Sequence, residues 1–260
     1  MSVTPSVGWG VLHLFLHVDR ARAESDPRGV KRALDAIASL EADDHQVLVG
    51  AALGHKADVG VMAFGPDLER LQQFQHELLG GPFTLTWSFV SLTELSPYTS
   101  TADDERARLE REEGIGDSAE MALRLAAWQE RMDHYQEQRI HPKLPRKAAL
   151  CFYPMTKRRD VGSNWYEMPF DERKRLMGGH ARVGRTYAGR VLQLITGATG
   201  LDDWEWGVTL LADDPAVLKE IVHEMRFDEA SARFAEFGPF IVSLLDDPAA
   251  VFARVGLVER

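Results

Sequence analysis

Two stretches of this chain carry the same order of segments, strand, helix, strand, strand, helix, strand, and that doubling limits the fold more than any other feature. In the first, Trp9 to His17 reads as a strand, followed by a helix with Asp26 as its cap, Pro27 at its first position and Val30, Leu34, Ile37 and Leu40 at helical spacing. Strand-like runs from Gln46 to Leu53 and Val59 to Phe64 flank the turn-forming segment Gly54-His55-Lys56-Ala57-Asp58. A helix after Pro66 carries Leu68, Leu71, Phe74 and Leu78, and a strand from Phe83 to Leu92 closes the unit. From Ala148 the order returns: a strand to Met155, a helix from Pro169, strands Arg190 to Ile195 and Trp204 to Leu211, a helix after Asp214-Pro215, and a strand near Phe234 to Leu244. At a constant offset of 147 (207 − 60 and 223 − 76), Gly60-Val61 matches Gly207-Val208 and His76-Glu77-Leu78 matches His223-Glu224-Met225. The fold class expected is α+β, built from two ferredoxin-like repeats.

Residues 96–147 separate the repeats and are charged and helical, with Met121, Leu125, Trp128, Met132 and Tyr135 on one stripe after an Asp117-x-x-Glu120 cap signal. Gly114 and Gly116 break this connector into two helices. The expected organisation is an N-terminal domain over 1–95, the connector over 96–147 and a C-terminal domain over 148–260, with a short helix after Asp246-Asp247-Pro248 ending at Leu257.

Composition removes several classes of function. Thirty Lys and Arg against forty Asp and Glu leave a net charge of −10, which argues against nucleic-acid binding, because phosphate contacts need basic surfaces. Cys151 is the one cysteine, so an internal disulfide framework, a Cys-rich zinc site and a two-thioether haem attachment are excluded. No basic region precedes the apolar stretch Val11 to Leu16, and no run reaches the roughly 18 apolar residues of a membrane span. The chain reads as cytoplasmic.

Two segments could carry chemistry. In the helix after Pro169, Leu176, His180, Val183 and Tyr187 fall at i, i+4, i+7 and i+11, which places a histidine on the apolar face. Beside it, Gly178 and Gly179 cost about 1 kcal/mol each relative to alanine in mid-helix, which suits a bulky group approaching the backbone. A haem axial ligand has these requirements; a histidine satisfied within the core, or a helix broken at the glycines, gives the same pattern. The second segment, Cys151-Phe152-Tyr153-Pro154-Met155-Thr156-Lys157-Arg158-Arg159, ends an apolar strand in a tyrosine and three cations. With Arg139 and Arg226 these cations form either a pocket for a carboxylate or phosphate, or a solvated loop.

With these residues in view, the C-terminal half resembles the chlorite dismutase-like family, and within it the peroxide-dependent coproheme decarboxylases (haem synthases) of the Firmicute-like, distal-glutamine type. The resemblance rests on Tyr153 to Arg159, Asn164-Trp165-Tyr166, Leu176-Met177-x-x-His180, Gly184-Arg185-x-Tyr187-Ala188-Gly189, Gly200 to Val208, Glu224 to Glu229, Ser231-Ala232-Arg233 and Glu236-Phe237-Gly238. The N-terminal half resembles the family in layout alone, and the connector is extended. Gly178-Gly179 departs from the bulkier residues usual before the histidine.

The resemblance implies a dimeric α+β barrel-like subunit whose C-terminal domain binds coproheme and whose N-terminal domain binds no haem. His180 would be the iron ligand, Tyr153 the residue oxidised to a radical and Lys157 the cation beside the reacting propionate. Arg139, Met155, Arg226 and Ser231 match propionate-contacting positions. Gln193 falls where chlorite-degrading members carry an arginine, and so favours decarboxylation; the Tyr153 to His180 spacing fits this type better than one with a distal histidine such as His134 or His141. The implied reaction converts two propionates of coproheme III (iron coproporphyrin III) to vinyls with hydrogen peroxide, giving haem b. A homopentamer and transient contact with coproporphyrin ferrochelatase are implied as well.

Overall fold

The computed structural model of the protein describes residues 2–258. Its first half runs β1 (Gly10–Val18), α1 (Arg20–Ser25), α2 (Gly29–Glu41), β2 (Gln46–Ala52), β3 (Val59–Gly65), α3 (Leu68–Leu79) and β4 (Phe83–Thr93). The connector holds α4 (Ala102–Arg108), a π-helical turn at Leu109–Glu113, and α5 (Ala119–Ile140). The second half opens with β5 (Ala149–Lys157), a hairpin of β6 (Arg159–Asp160) and β7 (Ser163–Asn164), and a 3-10 turn at Trp165–Glu167. It continues through α6 (Phe170–Arg185), β8 (Leu192–Gly197), β9 (Trp206–Ala212), α7 (Pro215–Met225), α8 (Glu229–Phe234), β10 (Ala235–Phe237), β11 (Ile241–Leu245) and α9 (Pro248–Arg254).

Each half arranges its four main strands in the same spatial order, β2-β3-β1-β4 and β8-β9-β5-β11. One seam joins β4 to β8 at Leu92↔Gly197 and Thr93↔Thr196, and the other joins β11 to β2 from Ser243↔Ala52 to Leu245↔Gly50. The eight strands therefore close into a ring with no free edge among them. This is the α+β barrel that the family resemblance implied.

Strand side chains alternate between the two faces of the ring, and each face has its own core. Phe15, Phe64, Phe89, Leu150, Phe152 and Leu194 fill the inside. Outside the first half, α2, α3 and α9 bury Leu14, Val49 and Val61 with Ile37, Phe74 and Phe252. Outside the second half, α6 and α7 lie over Cys151, Tyr153, Val208 and Leu210. Two helices start at Asp-Pro pairs: Asp214 and Asp247 accept the backbone N–H of Ala216 and Ala249, with Pro215 and Pro248 in the first turn.

Several boundaries differ from expectation. Asp26 does not cap a helix through its side chain; it pairs with Arg32, while Asp19 caps α1 and α2 starts without a side-chain cap. Ser118, not Asp117, caps α5 through the Met121 N–H. Tyr135 leaves the α5 stripe and is 47% exposed, whereas Met121 is buried. Strand β8 starts at Leu192 because residues 186–190 wind into turns closed at Gly189, whose φ is +81°. The last expected strand divides into α8, β10 and β11. At Gly238 the backbone crosses Pro154 so closely that an added Cβ would meet Pro154 Cγ at 2.6 Å, and Pro239 has no N–H for a ladder.

Candidate active site

The outer face of the second half-sheet brings the chemistry-bearing residues into rows. Direct cross-strand partners share a face, so Ile195, Val208 and Tyr153 form one row and Gln193, Leu210 and Cys151 the next. Tyr153 is buried and stacks on Phe240 at 4.4 Å between ring centroids. Burial pushes its phenol well above the ordinary range, against the pull of the Arg226 charge. Gln193 is half-buried beneath α6. A methyl at Gly184 would meet the Gln193 amide nitrogen at 3.4 Å and Met225 Cε at 3.2 Å, so glycine there lets α6 approach this face.

Helix α6 runs unbroken through Gly178 and Gly179, and a Cβ at Gly178 would find nothing within 4 Å. The helix-break reading is therefore excluded, and His180 stands on a continuous helix. Its Nδ1 lies 2.9 Å from Asp228 Oδ2 and 3.4 Å from Ser231 Oγ. Asp228 also caps α8 by accepting the Ser231 N–H at 3.1 Å. Burial would raise this carboxyl, but its bonds from His180 and Ser231 outweigh that and hold it below its ordinary value. A neutral imidazole that donates Nδ1–H to a carboxylate presents Nε2 as its metal-binding lone pair. Among the described residues no group of three or more His, Cys, Asp or Glu could hold a bare metal ion. One axial nitrogen above an apolar face fits iron that brings its own equatorial ligands.

The cations after Tyr153 divide. Lys157 is 6% exposed; its ammonium donates to the Ala230 carbonyl at 3.1 Å and lies 4.5 Å from the centre of the Trp165 ring. Burial pulls it down to about 8, while the charges of Asp228 and Glu205 hold it up. Arg158 and Arg159 are exposed, and Arg158 pairs with Glu236 at 3.6 Å. Lys157 thus turns inward, and the two arginines form a solvated loop. Ser231 is buried beside His180. Half-buried Met155 pairs with Phe237 across β5 and β10. Arg226 lies over the Phe237 ring at 5.0 Å, and Arg139, near the end of α5, donates to the Ile195 carbonyl at 3.3 Å. His134 bonds Gln138 and His141 bonds Glu137, both within α5 and its cap.

Sequence reasoning missed three members of this site. Asp228 was legible as a helix cap by its Asp-x-x-Ser spacing, yet nothing in that pattern points to a histidine 48 residues earlier. Glu205 and Trp165 occur within the family-like motifs with no role attached; the fold sets both against Lys157.

The chain is similar to proteins of one known family. The family model described as Chlorite dismutase matches residues 28–245. A coproheme decarboxylase of Thermus thermophilus is 37% identical over 263 residues, covering 96% of this chain and 95% of that protein. A Natronomonas pharaonis relative named for heme binding is 38% identical over 255 residues, but the chain spans 40% of its length. Among solved structures, a heme-binding protein from Thermus thermophilus superposes with a TM-score of 0.76 at 35% identity, covering 99% of this chain and 98% of that one. Chlorite dismutase from Candidatus Nitrospira defluvii shares the fold, with a TM-score of 0.70 at 14% identity over 96% of each chain.

Proposed function

We propose that this chain, which belongs to the chlorite dismutase family, is a coproheme decarboxylase of the distal-glutamine type. The observation that carries the reading is the pairing of a carboxylate-held His180 on α6 with Tyr153, Lys157 and Gln193 on and beside the sheet face beneath it. The near full-length similarity to a Thermus thermophilus protein of that name supports it.

Coproheme is the substrate, and its own iron supplies the redox chemistry when hydrogen peroxide is present. His180 would ligate through Nε2. Arg139, Arg226 and Ser231 would meet propionates, with Met155 packing at their side. The Gln193 amide can donate a hydrogen bond to peroxide without acting as a strong base. Because burial keeps Tyr153 protonated, its electron and proton must leave together, and the tyrosyl radical then takes a hydrogen atom from the propionate β-carbon. Loss of a second electron and of CO2 leaves the vinyl group. Each propionate, with one peroxide and one proton, gives a vinyl, CO2 and two waters. Lys157, charged at neutral pH, would fix the carboxylate during this step.

The domain division at 96–147, a homopentameric assembly, a cytoplasmic site and contact with a coproporphyrin ferrochelatase belong to the same proposal. No helix among the described residues is long and apolar enough to cross a membrane.

Titration of the coproheme complex with hydrogen peroxide, followed by mass spectrometry, tests the reading. Stepwise loss of two carboxyl groups, each as CO2 and two hydrogens, is expected. Bleaching without a decarboxylated product overturns it, and oxygen release from chlorite would move the assignment to chlorite degradation.

A further inference from the structure

Lys157 and Glu205 are both buried, at 6% and 7% exposure. They are neighbours: Glu205 Oε2 accepts the backbone N–H of Lys157 at 2.8 Å. Glu205 is held on a firm frame. It ends the loop between β8 and β9, its carbonyl accepts the Ala198 N–H at 2.8 Å, and the next residue, Trp206, pairs with both Gly197 and Met155. Burying a carboxylate costs several kcal/mol unless hydrogen bonds and a counter-charge offset it. One backbone N–H supplies the first, and Lys157 is the buried cation that supplies the second.

We propose that Glu205 is a positioning residue for Lys157: it anchors the strand end that carries the lysine, and its charge keeps the ammonium protonated so that it can hold a propionate. This rests on the reading that Lys157 meets a propionate. The groups facing Lys157 are Glu205 from the β8–β9 loop, Asp228 at the α8 cap, the Ala230 carbonyl and the Trp165 ring. Asp228 is also bonded to His180 of α6. The Tyr166 hydroxyl sits beside Glu205 and is pushed upward, first by burial and then by that carboxylate.

The test compares wild type, Glu205→Gln, Lys157→Met and the double variant. Melting temperature of the ligand-free proteins is followed from about pH 6 to about pH 10, alongside fluorescence titration with metal-free coproporphyrin III. In wild type, stability rises as pH passes about 8, where the buried ammonium loses its proton. Glutamine keeps the hydrogen-bond acceptor and drops the charge, so Glu205→Gln moves that rise about one pH unit lower. The pH at which porphyrin affinity falls off moves with it. In the Lys157→Met background, Glu205→Gln leaves the pH profile unchanged. An unmoved rise in Glu205→Gln overturns the proposal, as does an equal loss of melting temperature in both backgrounds. Should Glu205→Gln fail to fold, folding of the double variant supports the proposal and failure of both overturns it. Wild type that does not bind the porphyrin defeats the functional reading, while the melting profiles still decide the role of Glu205.

Discussion

Asp228 holds His180 Nδ1 at 2.9 Å with one carboxylate oxygen and the Ser231 N–H at 3.1 Å with the other. A single side chain therefore sets the tilt of the imidazole and starts the helix whose Ala230 carbonyl receives the Lys157 ammonium. His180 and Lys157 share one anchor, although they stand on α6 and β5.

Removing that anchor is expected to weaken iron binding. Asp228→Asn leaves an acceptor for Nδ1 but no charge, and partners of ligating histidines typically contribute 10–100-fold in affinity. Titration with iron coproporphyrin III, followed by its Soret band, is expected to give a dissociation constant higher by roughly that range. Asp228→Ala also removes the α8 cap, a further loss of about 1 kcal/mol in stability. Unchanged affinity in both variants would mean that something else orients the ring.

Tyr153→Phe separates binding from chemistry. The phenylalanine ring can keep the 4.4 Å stack on Phe240 and the contact with Phe237, so coproheme affinity is expected to stay within about twofold of wild type. Decarboxylation, by contrast, needs the O–H that is oxidised, and is expected to fall by about a hundredfold or more in a peroxide-driven single-turnover assay. Retained turnover would remove Tyr153 from the mechanism.

How much of this was legible varies with the range of the physics involved. The repeated order was readable because short apolar runs along β1 to β4 and helical spacing along α2 and α3 are local signals. The helix starts at Asp214-Pro215 and Asp247-Pro248 were readable for the same reason, whereas Asp26-Pro27 misled. Closure of the ring was not, since the seams depend on pairings such as Ser243↔Ala52 between distant strands. Tyr135 was misplaced because a stripe of five apolar residues suggests one buried face, yet α5 rests on its neighbours mainly through its N-terminal end, at Met121. In the site, His180, Tyr153 and Lys157 were visible as candidates. The carboxylates that hold them, Asp228 and Glu205, were not, because a carboxylate in sequence looks solvated until the fold buries it.

The Lys157 ammonium makes a stability prediction with a definite sign. Its folded value of about 8 lies below the ordinary 10.5, so between those pH values the unfolded chain binds more protons and stability rises with pH. Below about 8 both states are protonated, and the full penalty is present at neutral pH. The gap of 2.5 (10.5 − 8) corresponds to a ceiling of about 3 kcal/mol. Lys157→Met carries no titrating group here and also strips the buried Glu205 carboxylate of its counter-charge, so the variant is expected to lose stability at pH 7 and to stay level where wild type gains. Urea unfolding between pH 7 and pH 10 is expected to show the rise in wild type and a level profile in the variant.

His13 makes a prediction of the same sign on the acid side. It lies inside the barrel, 1% exposed, with Nε2 3.0 Å from Thr209 Oγ1 and its ring centroid 4.0 Å from that of Phe152. Burial pulls it from 6.5 down to about 3, so the folded chain keeps the ring neutral while the unfolded chain protonates it. Stability from this group is complete above about pH 6.5 and is lost as pH falls toward 3. One proton corresponds to about 1.4 kcal/mol per pH unit at most. His13→Gln retains a side chain able to bond Thr209 but does not titrate, so its unfolding free energy is expected to fall less steeply between pH 6 and pH 4 than wild type, by up to that slope. Urea unfolding at several pH values measures the difference directly. Parallel slopes would mean that acid reaches the ring before the barrel opens, and that the aromatic packing around His13 does not exclude the charged form.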